Sequence, residues 1–161
     1  VFGIVYTIVA LHWIALVTLP GFFGIFILFS IYFSVLFLPI NGLQKKLPKY
    51  RFLIFIVFWL SFEYLQNFGE FRFPWFDAGY TLANYLALIQ VADLGGVYLV
   101  SLLILVVNIL IYRFRYAPKK NFIALVLIFF VWFGYGIWRL QTLKLQKTNE
   151  VISIVQVSIP Q

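Results

Sequence analysis

The sequence predicts an all-α integral membrane protein: a bundle of about five transmembrane helices, followed by the first strand of a soluble α/β domain. Of the 161 residues, 64% are hydrophobic, 22% are aromatic and only 11% are charged. A soluble domain carries about 25% charged residues. The apolar residues also form runs that approach the roughly 20 residues needed by a spanning helix. A water-soluble fold could not bury this much apolar surface, so lipid is the expected solvent.

The predicted transmembrane domain covers residues 1–140. Its five helices are expected at about 1–19, 21–40, 52–66, 85–112 and 122–138. The pair Pro20-Gly21 separates the first two runs, because proline breaks a helix and glycine permits a tight turn. Phe, Ile and Val are abundant and would also suit strands, but the length of the runs favours helices. Helices are also expected because lipid offers backbone groups no other partner.

The distribution of charge predicts the orientation of the bundle. Two loops are basic and contain no acid, one after the second run (Lys45, Lys46, Lys49, Arg51) and one after the fourth (Arg113, Arg115, Lys119, Lys120). Positively charged loops face the cytoplasm. Five crossings then place the loop 67–84 and the C-terminus on the opposite side. The net charge of +7 is therefore interpreted as a topology signal, and no nucleic-acid binding is predicted.

The C-terminal residues change in character. Residues 141–150 are largely polar and are interpreted as a linker, whereas 151–157 are mostly β-branched and apolar, as in a buried strand. A strand without a sheet is not stable alone. The sequence contains no Met and begins with the apolar Val1, so we expect a segment of a longer protein with a further extracytoplasmic domain.

Polar side chains within the apolar runs predict either function or helix packing. His12 could bind a ligand or carry a proton, but without a second His a neutral side chain bonded to a neighbouring helix is favoured. Gln90, Ser101 and Asn108 lie along the fourth run and predict interhelical hydrogen bonds. The pair Gly95-Gly96 predicts close approach of another helix. With one His and no Cys, neither a metal site nor a cofactor is predicted.

The stretch Phe73-Pro74-Trp75-Phe76-Asp77-Ala78-Gly79-Tyr80 interrupts the apolar runs. Pro74 favours an extended backbone before it, Gly79 permits a turn, and Trp75 and Tyr80 are typical of membrane interfaces. Composition alone indicates an aromatic belt. Nearby, Glu63 has two interpretations: an exposed carboxylate, paired with Arg72, or a group that orients a lipid headgroup.

The order of several short motifs resembles the apolipoprotein N-acyltransferase family. These motifs are Glu63-Tyr64-Leu65, Phe73-Pro74-Trp75, Gly79-Tyr80, Gln90-Val91-Ala92, Gly95-Gly96-Val97-Tyr98, Ser101 and Asn108. Gln66-Asn67 stands where the family often has Arg-Gly. Residues 154–161 resemble the opening strand of the family's nitrilase-like domain. The motif resemblance covers about 52–161, whereas the first two runs match in hydropathy only.

The resemblance implies an enzyme of the bacterial inner membrane. It would transfer an acyl chain from a phospholipid to the N-terminal diacylglyceryl-cysteine of lipoproteins. The family's Glu-Lys-Cys triad belongs to the nitrilase-like domain, so no catalytic residue is assigned to this chain. Residues Trp75, Tyr80, Glu63, Pro74 and Gly79 are expected near the point where lipids approach the site.

A second hypothesis is a non-enzymatic membrane scaffold or a small transporter bundle. A transporter would need a buried polar pathway, which His12, Gln90 and Asn108 are too sparse to form. The chain also lacks an evident internal repeat.

Overall fold

The regular elements of the described chain are all helical. The structure is a computed structural model that describes residues 1–70, 72 and 77–143. In these residues lie α1 (Phe2–Ala10), α2 (Ile14–Val17), α3 (Leu19–Lys46), α4 (Arg51–Leu65), α5 (Leu86–Ile89), α6 (Ala92–Arg113) and α7 (Pro118–Thr142), and two 3₁₀ turns, Pro48–Tyr50 and Ala78–Leu82. The predicted helical class is confirmed. The predicted strand at 151–157, and the predicted linker beyond residue 143, lie outside the described residues.

Within the described residues, three helices are long and apolar enough to cross a membrane, namely α3, α6 and α7. Helix α4 has 15 residues, which rise about 22 Å, less than the ~30 Å of a hydrocarbon core. The run predicted as one helix at 1–19 is divided into α1 and α2. Helix α7 continues through Thr142 into the predicted linker.

Local hydrogen bonds account for the breaks in the first apolar run. After α1, Nδ1 of His12 lies 3.1 Å from the carbonyl oxygen of Val9, a carbonyl near the helix end that needs a partner. As far as the structure describes the chain, His12 thus bonds within its own segment and not to a neighbouring helix. Thr18 is extended and caps α3, since its Oγ1 accepts from the N–H of Gly21 at 3.4 Å. Pro20 follows in the first turn, where its missing N–H costs nothing.

Helices α1 to α4 share an aromatic core. Phe33 of α3 is buried at its centre. Its ring centroid lies 4.8 Å from that of Phe2, 5.1 Å from that of Tyr6 and 5.6 Å from that of Phe62. Aromatic pairs at 4.5–7 Å are favourable beyond the area they bury. One large side chain of α3 therefore joins α1 to α4.

The crossing of α1 and α3 depends on a small residue. A Cβ on Gly3 would lie 2.7 Å from the carbonyl oxygen of Phe29. Thr7 lies four residues later on the same face, is fully buried, and donates its hydroxyl to the carbonyl oxygen of Gly3 at 2.9 Å. Small residues spaced by four let helix backbones approach closely in lipid.

Helices α5 to α7 form the second packed group. The indole N–H of Trp132 donates to the carbonyl oxygen of Leu88 over 2.7 Å. One turn further along α7, the Gly136 backbone lies directly against that of Ala87, and a Cβ there would overlap the Ala87 carbonyl. The short α5 is therefore held flat against α7 at a position the sequence did not identify.

The predicted fourth helix, 85–112, is bent. Gly95 and Gly96 have non-helical dihedrals, and Gly96 has a φ of +66°, a conformation that favours glycine. A Cβ on Gly96 would meet no atom within 4 Å. The close helix approach expected from this pair is therefore wrong for Gly96, which permits a bend in the backbone.

Both basic loops lie at the same end of the bundle. At the start of α4, the Phe52 ring lies 6.1 Å from that of Tyr112, near the end of α6, and the Arg113 guanidinium lies 5.4 Å from the Phe52 ring centre. Asn121 joins α7 to the same region by donating to the carbonyl oxygen of Arg113 at 2.7 Å. This arrangement agrees with a common side for both loops.

We expect Gly136→Ala to lower the stability of the protein by about 1–3 kcal/mol, because the methyl group would overpack the contact with Ala87. Gly134→Ala is the matched control: its Cβ would enter open space, so the higher helix propensity of Ala should leave stability unchanged or raise it by up to about 1 kcal/mol. Thermal unfolding in detergent measures both. Equal melting temperatures for the two variants would contradict the contact.

Candidate functional site

A buried carboxylate lies at the end of the bundle opposite the basic loops. Glu63 occupies the last turn of α4 and is only 1% exposed. The indole N–H of Trp59, one helical turn earlier, donates to Oε1 of Glu63 over 2.8 Å. A carboxylate can be buried at a tolerable cost only when it is bonded. The exposed ion pair with Arg72 is absent from the described part of the chain.

The same oxygen of Glu63 holds the loop that follows. The N–H of Ala78 donates to Oε1 of Glu63 over 2.8 Å, and the next amide, of Gly79, donates to Oγ of Ser101 in α6 over 2.9 Å. Consecutive amides of one 3₁₀ turn are thus fixed by side chains of two different helices.

Gly79 permits this contact because it lacks a side chain. A Cβ there would lie 2.7 Å from both the Cγ2 and the carbonyl oxygen of Val97, and 3.3 Å from Oγ of Ser101. The Val97 carbonyl is backbone and cannot move aside as a flexible side chain would. The turn can therefore reach α6 only with glycine at this position.

Two amide side chains extend the network. Nδ2 of Asn67 donates to the carbonyl oxygen of Glu63 at 2.8 Å and to the hydroxyl of Tyr98 at 2.9 Å. Nε2 of Gln66 donates to Oδ1 of Asp77 at 3.2 Å. The residues after α4 are thereby tied to α6 on one side and to the start of the loop on the other. We call the set Trp59, Glu63, Gln66, Asn67, Asp77, Gly79, Tyr98 and Ser101 the loop anchor.

The loop anchor contains two nearby carboxyl groups, Glu63 and Asp77, and acceptor atoms that lack a donor. Burial and the nearby Glu63 raise the pKa of Asp77 to about 6, although the hydrogen bond from Gln66 opposes this. Among the described residues, Oε2 of Glu63 and Oε1 of Gln66 are buried without a hydrogen-bond partner. The arrangement can therefore fix a backbone segment and accept further donors, and an added negative charge would be unfavourable there.

The predicted site residues are only partly brought together. Glu63 and Gly79 belong to the loop anchor, while Tyr80 follows them with half of its surface exposed. Pro74 and Trp75 lie outside the described residues.

Among the polar residues predicted to link helices, Ser101 bonds to another element. Gln90 donates to the carbonyl oxygen of Leu86 in its own segment, and Asn108 donates to that of Ile104 within α6.

Several residues of the loop anchor are not identified by the sequence. The sequence marks Gln66-Asn67 only as a departure from the family's Arg-Gly, and it indicates no role for Trp59 or Asp77. One signal was present: Gln66 and Asn67 lie three and four residues after Glu63, the spacing of side chains on one helix face. Polar residues at this spacing in an apolar helix suggest a shared network.

The fold and the site define a helical membrane domain with an anchored loop opposite its basic end. The chain belongs to the apolipoprotein N-acyltransferase family, because the family model described as the N-terminal domain of that enzyme matches residues 1–110. The match includes the first two runs, where the sequence alone offered only hydropathy.

Relatives carry the same family name. The chain is 35% identical over 95 residues to an apolipoprotein N-acyltransferase of Geobacter metallireducens, covering 53% of this chain and 18% of the relative. It is 31% identical over 123 residues to that of Rickettsia typhi, covering 72% and 24%. The chain therefore spans less than a quarter of the length of these relatives. No solved structure matches it significantly.

We expect Glu63→Ala to destabilise the protein by about 2–5 kcal/mol, because the N–H groups of Trp59 and Ala78 lose their acceptor. Glu63→Gln keeps a carbonyl oxygen and should cost about 1 kcal/mol or less. Glu70→Ala, on an exposed side chain, is the control. Thermal unfolding in detergent measures all three, and equal effects of Glu63→Ala and Glu70→Ala would refute the network.

The raised pKa of Asp77 predicts a pH dependence of stability. The fold favours the neutral carboxyl, so this contribution is complete below pH 3.8 and is lost as the pH rises through about 6. We expect the protein to lose on the order of 1–3 kcal/mol through this group between pH 4 and 7. Asp77→Asn cannot titrate and should flatten the profile of melting temperature in that interval. A profile parallel to that of the unaltered protein would exclude Asp77 as its source.

Proposed function

We propose that the chain is the membrane part of a bacterial apolipoprotein N-acyltransferase. In the whole protein it anchors a nitrilase-like catalytic domain, which transfers an acyl chain from a phospholipid to the N-terminal diacylglyceryl-cysteine of lipoproteins. The family match over residues 1–110 supports this assignment. The chain contains no Cys, so the thiol nucleophile implied by the family resemblance would come from outside it.

The loop anchor is the observation that carries the proposed role. In an apolar bundle, the costly buried carboxylate of Glu63 is used to hold backbone of the 3₁₀ turn Ala78–Leu82. Side chains of two helices thus fix this turn at the end of the bundle opposite the basic loops. Such a rigid support suits a domain that must meet lipid substrates at the membrane surface.

The proposed topology has five crossings, formed by α1 with α2, α3, α4, α6 and α7. The short α4 would cross together with the polar residues that follow it. Positive residues at one end of the bundle favour a cytoplasmic position for that end. Loop 67–84 and the C-terminus would then lie on the periplasmic side of the inner membrane, and residues 151–161 would begin the nitrilase-like domain.

A site at the bilayer surface suits both proposed substrates. The phospholipid donor and the diacylglyceryl lipoprotein acceptor each carry long acyl chains, and moving them into water costs about 0.8 kcal/mol per CH₂. The half-exposed Tyr80 lies directly after the anchored Gly79. Together with Pro74 and Trp75 it would border the path by which acyl chains reach the catalytic domain.

We expect Trp75→Ala in the full-length enzyme to reduce acyl transfer about tenfold, which corresponds to about 1.4 kcal/mol of transition-state stabilisation. The control is Trp138→Ala, which removes an exposed tryptophan near the end of α7, outside the loop. Transfer of a labelled acyl chain from phospholipid to a diacylglyceryl peptide measures both variants at matched expression. If both retain full activity, Trp75 is not part of the lipid path. If the unaltered full-length protein transfers no acyl chain, the proposed function itself fails.

A further inference from the structure

An apolar groove runs between α6 and α7. Its volume is about 410 Å³, within the ~300–1,000 Å³ of small-molecule sites. Leu99 and Leu103 of α6 form one wall, and Ile128 and Val131 of α7 contribute to the other. The wall is apolar throughout, so the groove suits a hydrocarbon chain.

A polar cluster closes one end of this groove. Tyr135, which lines the groove, donates its hydroxyl to Oδ1 of Asp93 over 2.7 Å. Arg139 donates from Nε to Oδ2 of the same carboxylate over 2.6 Å. Tyr135 therefore belongs to both the groove and the polar cluster.

The cluster lies at one end of both helices. Asp93 lies in the first turn of α6 and Arg139 in the last turn of α7, and both helices are long and apolar enough to span a membrane. Their shared end is opposite the basic loops. The groove thus runs from this end along surfaces that acyl chains would contact.

The guanidinium of Arg139 retains donors for an anion. Arginine has five N–H donors, and in the described part of the chain only Nε of Arg139 is bonded. The side chains of Arg139 and Asp93 are 36% and 32% exposed, so the cluster can be reached from outside. Asp93 orients the guanidinium, whose terminal nitrogens fit two phosphate oxygens in a bidentate contact.

We propose that this groove binds one membrane phospholipid, with its phosphodiester on Arg139 and one acyl chain between α6 and α7. The charge at the mouth favours this occupant: a phosphate accepts from the terminal N–H groups of Arg139, whereas an apolar helix would leave them unpaired. The site is formed by residues of α6 and α7, and its lipid stays bound without reacting.

Native mass spectrometry of the full-length protein in detergent tests the proposal. Two probes are titrated, dioleoyl-phosphatidylglycerol and dioleoylglycerol, which share acyl chains but differ in the phosphate. Arg139→Gln should weaken the first bound phosphatidylglycerol about tenfold and leave dioleoylglycerol unchanged. Leu103→Trp fills the groove and should weaken both probes.

Two controls match these changes. Lys119→Gln removes a cation from the opposite end of α7, and Ile123→Trp adds the same ring on an exposed part of α7 outside the groove; neither should alter the binding of either probe. Arg139→Lys retains the charge without the bidentate geometry and should bind with intermediate affinity, which provides a test if Arg139→Gln does not fold.

Three results would overturn the proposal. The first is that neither Arg139→Gln nor Arg139→Lys changes the affinity for phosphatidylglycerol. Leu103→Trp could leave both probes bound as before, which would mean that the chain does not occupy the groove. Leu103→Trp could instead convert a dimer into a monomer, which would assign the groove to a second copy.

Discussion

The buried carboxylate of Glu63 is the constraint on which the arrangement of this end of the bundle depends. An apolar interior tolerates such a group only if hydrogen bonds compensate its desolvation. Trp59 and Ala78 supply these bonds to a single oxygen. One donor belongs to α4 and the other to the following loop. The carboxylate therefore receives both hydrogen bonds only when the loop folds back onto the helices.

That constraint strengthens the connection between the two packed groups of helices. Helix α4 contributes aromatic side chains such as Phe62 to the core around Phe33, while its last turn faces the loop and α6. The bond from Gly79 to Ser101 completes the connection on the α6 side. Protonation or deprotonation of Asp77 would therefore change the stability of the loop and of its contacts with both packed groups of helices.

Much of the fold could be predicted because hydropathy and charge are local properties of the sequence. The helical class, the grouping of basic loops at one end, and the position of Glu63 near the loop followed from them. The division of the first run at His12, the contact of Gly136 with Ala87 and the bend at Gly96 did not. These features depend on which backbone atoms meet in space, and a glycine in a sequence does not reveal whether it serves a close contact or a positive φ.

Hydrogen exchange at the amides of Ala78 and Gly79 in the full-length protein tests the central role of the loop anchor most directly. Both amides donate to buried side chains, so they should exchange as slowly as the amides of α4, and Glu63→Ala should speed exchange at Ala78 more than at Gly79. Exchange of both amides at the rate of an unstructured peptide would contradict the anchored loop.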